Sequence, residues 1–295
     1  MVLSAFAMVV AAPRPWFWSD FNFIHSMLPG WKTGYFSFAH CQLEYTFQHH
    51  PGKPWMVFLH GFGQNFRAFD SIYEKEEGQY SFLAFHIFFH GDSQIEEDHL
   101  LSMGDWAFMV SEVFKKLEIE KAHWLGFSMG AKFTLSAFQF QPDLFERITL
   151  LAPDGLVMNP WYRFATQTFI GRFFLIILLQ YLPAIRFLVL LLSKTGFLAK
   201  SLGRFVESQL NSPSKRKQVL NTWLKFRKIW PEASIWHPFM TEREIPVLVV
   251  LGQRDTVIPK SKFNRFRKNF PGIQWQEIPA GHGSLVEKWA ASFWV

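Results

Sequence analysis

Residues 122–138 read Ala122-His123-Trp124-Leu125-Gly126-Phe127-Ser128-Met129-Gly130-Ala131-Lys132-Phe133-Thr134-Leu135-Ser136-Ala137-Phe138. The opening four residues form an apolar segment of strand character, and the closing eight keep an apolar helical period. Between them stands G-x-S-x-G. Its glycines, Gly126 and Gly130, let the backbone turn sharply and pack closely, which holds the Ser128 hydroxyl at the mouth of a cleft. Strand, tight turn and helix together say more than a five-residue pattern with three fixed positions.

Outward from this stretch the chain alternates. Tyr35 to Phe47 and Trp55 to Leu59 are rich in aromatic and β-branched residues, with His50-Pro51-Gly52-Lys53-Pro54 as the turn between them. Phe66 to Glu76 reads as a helix, Tyr80 to Phe89 as a strand and Asp105 to Leu117 as an amphipathic helix. Arg147 to Leu151, Ile245 to Leu251 and Gly272 to Ile278 read as further strands, and Ser284 to Trp294 as a closing helix. Near-continuous apolar strands alternating with helices imply an α/β fold, a mostly parallel sheet covered on both faces.

A serine hydroxyl needs a base to take its proton, and that base needs an orienter. Downstream of Ser128, Gly252-Gln253-Arg254-Asp255 follows one strand and Ile278-Pro279-Ala280-Gly281-His282-Gly283 follows the last. With the G-x-S-x-G turn, this order of serine, acid and histidine resembles the α/β-hydrolase family. The resemblance covers roughly residues 40–155 and 241–295. It implies Ser128 as nucleophile, His282 as base and Asp255 as the acid. Asp154, in Leu151-Ala152-Pro153-Asp154-Gly155, is the competing acid, since some members of the family use that place; its Asp-Gly pair also reads as a turn. A serine at the nucleophile position speaks against epoxide hydrolases and haloalkane dehalogenases, which carry aspartate there.

The oxyanion of acyl transfer needs backbone donors already in place. One is the amide of Met129. The other is expected at Phe62, because His60-Gly61-Phe62-Gly63 follows a strand and resembles the family's HG loop. His60 reads as a brace for that loop. His90-Gly91-Asp92-Ser93 resembles the loop after the next strand, with a structural role near the turn. Ala131 stands where many relatives have glycine, at some cost in close packing.

The resemblance also divides the chain. Residues 1–40 form an N-terminal extension, 41–155 and 241–295 the two parts of the hydrolase core, and 156–240 a helical cap. Met1 to Ala12 is apolar and ends in Ala11-Ala12-Pro13, but it lacks the basic start of a signal peptide. Between Leu156 and Met240 there are twelve Lys/Arg against two acids, Glu207 and Glu232, a net +10 in a chain of +6 overall. The positive charge therefore belongs to the insertion. With no nucleic-acid motif beside it, the charge points to an anionic membrane surface or an acidic substrate.

Phe173 to Leu192 is long and apolar enough to suggest a membrane span, yet Gln180, Pro183 and Arg186 interrupt it. Pro183 is expected to divide two cap helices. Phe197 to Leu210 reads as an amphipathic cap helix, and Ser214 to Lys217 and Lys225 to Lys228 as solvated faces.

Hydrophobic residues make up 49% of the 295 and aromatics 18%, enough for a large core. The single cysteine, Cys41, excludes an internal disulfide and fits a reducing cytoplasm. No cofactor or metal motif is present. The expected activity is hydrolysis of a carboxylic ester, or related acyl bond, of a hydrophobic small molecule or lipid. Two alternatives stay open: a carbon–carbon bond hydrolase using the same triad, and a non-catalytic, membrane-associated binding protein that retains the fold.

Overall fold

The computed structural model describes residues 30–38, 40–194 and 210–293; side chains are described throughout except at 182–194 and 293. The N-terminal apolar segment and the expected helix at Phe197 to Leu210 lie outside the described residues, apart from Leu210 itself.

One nine-stranded sheet organises the chain from Lys32 onward. Its strands are β1 (Lys32–Phe38), β2 (Cys41–Gln48), β3 (Trp55–Leu59), β4 (Ser81–Phe85), β5 (Gln94–Ile95), β6 (Ala122–Phe127), β7 (Phe145–Leu151), β8 (Val247–Gly252) and β9 (Gln274–Ile278). The spatial order is β1-β2-β4-β3-β6-β7-β8-β9, with the short β5 paired to β2. From β4 to β9 every pairing is parallel; β1, β2 and β5 supply the antiparallel edge. This is the mostly parallel, helix-flanked sheet expected from the sequence. All five residues of β3 and of β4 are buried, as central strands covered on both faces require.

Three details differ from the reading of the sequence. The run Tyr35 to Phe47 is two strands, since Phe38 pairs with Cys41 in a tight antiparallel hairpin. The sheet thus begins at Lys32, and the expected boundary at residue 40 falls within that hairpin. The strand read over Tyr80 to Phe89 ends at Phe85, where the chain turns into the loop that carries His90. Continuous aromatic character conceals both turns.

Among the described residues the α-helices are α1 (Asp70–Glu76), α2 (Met103–Lys116), α3 (Met129–Phe140), α4 (Pro160–Gln167), α5 (Phe169–Lys194), α6 (Pro213–Lys225), α7 (Ala233–Glu242), α8 (Asn264–Asn269) and α9 (Leu285–Phe293). Helix α2 opens with a reciprocal capping box, in which Ser102 accepts from the Asp105 amide and Asp105 accepts from the Ser102 amide. Asn159 and Ser212 cap α4 and α6, each followed by proline at the first helical position.

Much of the aromatic content stacks inside the core. Trp124 lies 4.3 Å from Phe145 and 5.4 Å from Phe114, ring centre to ring centre, and Phe85 lies 5.5 Å from Trp106. Cys41 is buried, and burial pushes its thiol up to about 12. A thiol reagent is therefore expected to leave the folded protein unmodified and to label Cys41 only in denaturant, read as the mass of the intact protein.

Between β7 and β8 the described regular elements are all helical. Helix α5 runs unbroken through Pro183, contrary to the expected division there. A proline removes one amide donor and crowds the preceding turn, but Leu-rich helix formers on both sides carry the helix through that cost. Counting only residues whose side chains are described, which leaves out 182–194 of α5, no single helix is long and apolar enough to cross a membrane. Helix α4 and residues 169–181 of α5 reach that apolar length only together, bent by 94°.

Candidate active site

Ser128 sits between β6 and α3 with a φ of +51°. This is the left-handed region, costly for any residue with a side chain, and it persists because the surroundings fix it. The Ser128 amide donates to the Leu151 carbonyl at 2.9 Å, and the Ser128 carbonyl accepts from the Asp154 amide at 3.0 Å. The flanking glycines leave no room for a side chain. A Cβ on Gly126 would lie 2.7 Å from the Cα of Ala131, and one on Gly130 would collide with the Leu59 carbonyl. That close approach presses the start of α3 against the end of β3 and the loop that follows it.

Three residues far apart in sequence meet here. His282 Nε2 lies 3.1 Å from Ser128 Oγ, and His282 Nδ1 lies 2.7 Å from Asp255 Oδ2. Asp255 follows β8 and its side chain is fully buried; His282 follows β9 and is one-fifth exposed. The other carboxylate oxygen, Oδ1, accepts from the amides of Val257 at 2.8 Å and Ile258 at 2.9 Å, which fixes the plane of the carboxylate. Since that carboxylate can only accept, Nδ1 carries the proton and Nε2 presents its lone pair to the serine. The Phe127 ring lies 5.1 Å from the imidazole and limits its motion.

Asp154 faces elsewhere. Its carboxylate lies 3.6 Å from the ammonium of Lys132, a side chain only 3% exposed. Burial alone would lower the Lys132 pKa, but the Tyr162 hydroxyl and Asp154 beside it outweigh that and raise it. The reading of the sequence passed over this buried lysine; its place on the helical period was the only signal, and an apolar period says nothing of a charge.

The loop after β3 is held by histidines. His60 Nε2 accepts from the Ile87 amide at 3.2 Å, so its Nδ1 donates to the Gly61 carbonyl at 2.7 Å. His90 Nε2 accepts from the Gly63 amide at 2.8 Å while its Nδ1 faces the carbonyls of Ile87 and Phe88. The Gly61 amide is taken by the Gln64 side chain and the Gln64 amide by the Gly61 carbonyl. Among the described residues, the amides of Phe62 and Met129 donate to no acceptor. Asp92 and Ser93 belong to the bracing loop: Ser93 Oγ donates to the His86 carbonyl and accepts from the Glu44 amide.

These braces work only while neutral. Burial, with His90 beside it, holds His60 well below the usual histidine value; burial also lowers His90, and lowers His123 to about 3. The unfolded chain takes up protons near pH 6.5 where the folded chain does not, so stability falls with pH below that point. His123 alone contributes a slope approaching about 1.4 kcal/mol per pH unit. The urea midpoint is expected to stay level from pH 8 to 7 and to drop steadily from about 6.5 toward 5. A midpoint level down to pH 5 would contradict the neutral, buried assignment.

No group of three or more His, Cys, Asp or Glu among the described residues could hold a metal ion. Two surface clefts, of about 460 and 580 Å³, include neither Ser128 nor His282 in their walls.

Known proteins share this arrangement of elements. The sequence profile of the alpha/beta hydrolase fold matches residues 54–288. The uncharacterized hydrolase YugF of Bacillus subtilis is 21% identical over 265 residues, covering 84% of this chain and 93% of its own. MGS-M2, an alpha/beta hydrolase enzyme from a Medee basin deep-sea metagenome library, superposes with a TM-score of 0.62 at 14% identity, over 88% of this chain and 94% of its own. The 2-hydroxy-6-oxo-6-phenylhexa-2,4-dienoate hydrolase of Rhodococcus sp. strain RHA1 gives a TM-score of 0.58 at 20% identity, over 88% and 95%. At these identities the solved structures speak for the fold alone.

Proposed function

This chain belongs to the alpha/beta hydrolase fold family, as a hydrolase, and from that premise we propose that it cleaves a carboxylic ester, or a related acyl bond, of a hydrophobic small molecule or lipid through an acyl-enzyme. The observation that carries this reading is the continuous relay Ser128 Oγ, His282 Nε2, His282 Nδ1, Asp255 Oδ2, anchored on a strained serine.

Ser128 Oγ attacks the acyl carbon while its proton passes to His282 Nε2. The imidazolium so formed is stabilised by the buried Asp255 carboxylate beside it. Charge gathering on the carbonyl oxygen is received by the Phe62 and Met129 amides, which donate to no acceptor among the described residues. On collapse, the proton on His282 goes to the leaving alkoxide. Water then enters, His282 takes a proton from it as the oxygen attacks the acyl carbon, and on collapse His282 returns that proton to Ser128 Oγ, freeing the acid.

The wall beside the Phe62 loop supports an apolar substrate. Leu175 and Leu179 of α5, Leu210 just before α6 and Val219 within it form a buried cluster against which the Phe62 side chain packs. The helices between β7 and β8 would thus act as a cap over the reacting centre. We place the protein in the cytoplasm, the compartment that a chain with a single cysteine and no internal disulfide fits, at the periphery of an anionic membrane.

The test is purified protein treated with a fluorophosphonate probe and assayed on p-nitrophenyl esters of increasing acyl length. Covalent labelling, with turnover that rises from short to medium or long chains, is the expected result. Labelling without ester turnover would favour the carbon–carbon bond reading, for which the same triad suffices. Neither labelling nor turnover would favour a binding protein that keeps the fold.

A further inference from the structure

Ten of the fifteen large apolar side chains exposed among the described residues lie between positions 161 and 181. Trp161 is 79% exposed, Phe169 77%, Ile170 60% and Phe174 59%. Soluble proteins scatter such residues singly; a concentration of this kind marks an interaction surface. These side chains ride on α4 and the first half of α5, two arms that meet at 94°. A pair bent at a right angle cannot thread a bilayer as one rod, but both arms can lie in a single plane.

Charge identifies what that plane meets. Helices α4, α5 and α6 together carry eight Lys/Arg and no Asp or Glu. Arg163, exposed on α4, lies among the exposed aromatics, and Arg172 follows on α5. Helix α6, which packs against α5, opens Pro213-Ser214-Lys215-Arg216-Lys217. Apolar side chains interleaved with cations and free of acids match an interface of apolar tails under anionic headgroups. A protein partner with an acidic rim would match the charge but would leave ten large apolar groups to be buried in matching pockets.

We propose that the bent pair α4–α5 is a docking face for an anionic lipid surface, into which Trp161, Phe169, Ile170, Phe173 and Phe174 insert to headgroup depth. The inner side of α5 bears Leu175 and Leu179, the residues against which Phe62 packs. Docking therefore sets a lipid phase on one side of a single helix and the candidate oxyanion loop on the other. Its use, delivery of a lipid-borne ester, rests on the hydrolase reading; the docking itself does not.

Binding is measured on the full chain carrying Ser128→Ala, so that no turnover enters, by co-sedimentation with vesicles. Binding to vesicles containing phosphatidylserine is expected, much weaker to pure phosphatidylcholine, and weaker with rising salt. Arg163→Glu should reduce binding to the anionic vesicles by about tenfold. The triple change Trp161→Ser, Phe169→Ser, Phe173→Ser should reduce it on the order of a hundredfold. With Ser128 present, both variants should hydrolyse a water-soluble short-chain ester at the parent rate if the parent does so, and should keep the parent's thermal midpoint in either case. Absence of binding by the parent, or binding equal on both vesicle types and unmoved by Arg163→Glu, would overturn the proposal. A concentration-dependent dimer, abolished by the triple change and seen without vesicle binding, would assign the face to a second copy and overturn it equally.

Discussion

Replacement of Ser128 by alanine is expected to abolish fluorophosphonate labelling and to lower kcat for a p-nitrophenyl ester by about 10⁴ to 10⁶-fold. The physical reason is the removal of the only atom that the relay activates. His282 Nε2, 3.1 Å from the hydroxyl in the parent, would face a methyl group and could act only on water. The Phe62 and Met129 amides would remain, so KM should move little while kcat falls. The change deletes one oxygen at a position where the side chain makes no cap to its helix, and the fold should tolerate it. A thermal midpoint within a few degrees of the parent is the control. Retained labelling at another residue would remove Ser128 from the mechanism altogether.

The second large effect separates the two carboxylates. Asp255→Asn is expected to lower kcat by about 10⁴-fold, whereas Asp154→Asn should stay within about tenfold. At position 255 the new carbonyl oxygen would keep the two backbone donors from Val257 and Ile258, since only an oxygen can accept them. The amide nitrogen would then take the place of Oδ2, 2.7 Å from His282 Nδ1, donor facing donor. The imidazole escapes that clash by moving its proton to Nε2, where it points at the serine and can no longer take a proton. At position 154 the loss is of another kind. Lys132 would keep its buried ammonium without its carboxylate, a stability cost of about 1–3 kcal/mol, moderated because Asp154 is one-third exposed. Steady-state kinetics and urea midpoints on both variants decide it. A kinetic collapse in Asp154→Asn with a parent-like Asp255→Asn would exchange the two roles.

Ser128, Asp255 and His282 stand on local signals, a turn between strand and helix and loops closing two late strands, to which the family resemblance attaches their roles. Each signal spans only a few residues and depends on backbone chemistry that glycine and proline write openly. Lys132 escaped notice because burial does not follow from residue type, and its partner lies 22 positions along the chain. At Pro183 the sequence suggests a break, but the proline's local cost is absorbed by the helix around it. The hairpin at residues 38–41 was missed because aromatic residues on both sides of a tight turn look like one strand.

By itself, then, the sequence determined the alternation of strands and helices, the helical insertion with its charge, and the order of the three candidate catalytic residues. The first two are properties of period, turn chemistry and composition; the third is what the resemblance to a known family implies. The tertiary structure alone decided which carboxylate faces His282, which amides near Ser128 stay free to donate, and which apolar side chains of the insertion stand in solvent. Each depends on contacts between residues distant in sequence, 154 positions in the case of Ser128 and His282. Burial sorts identical side chains into core and surface only after the chain has closed on itself.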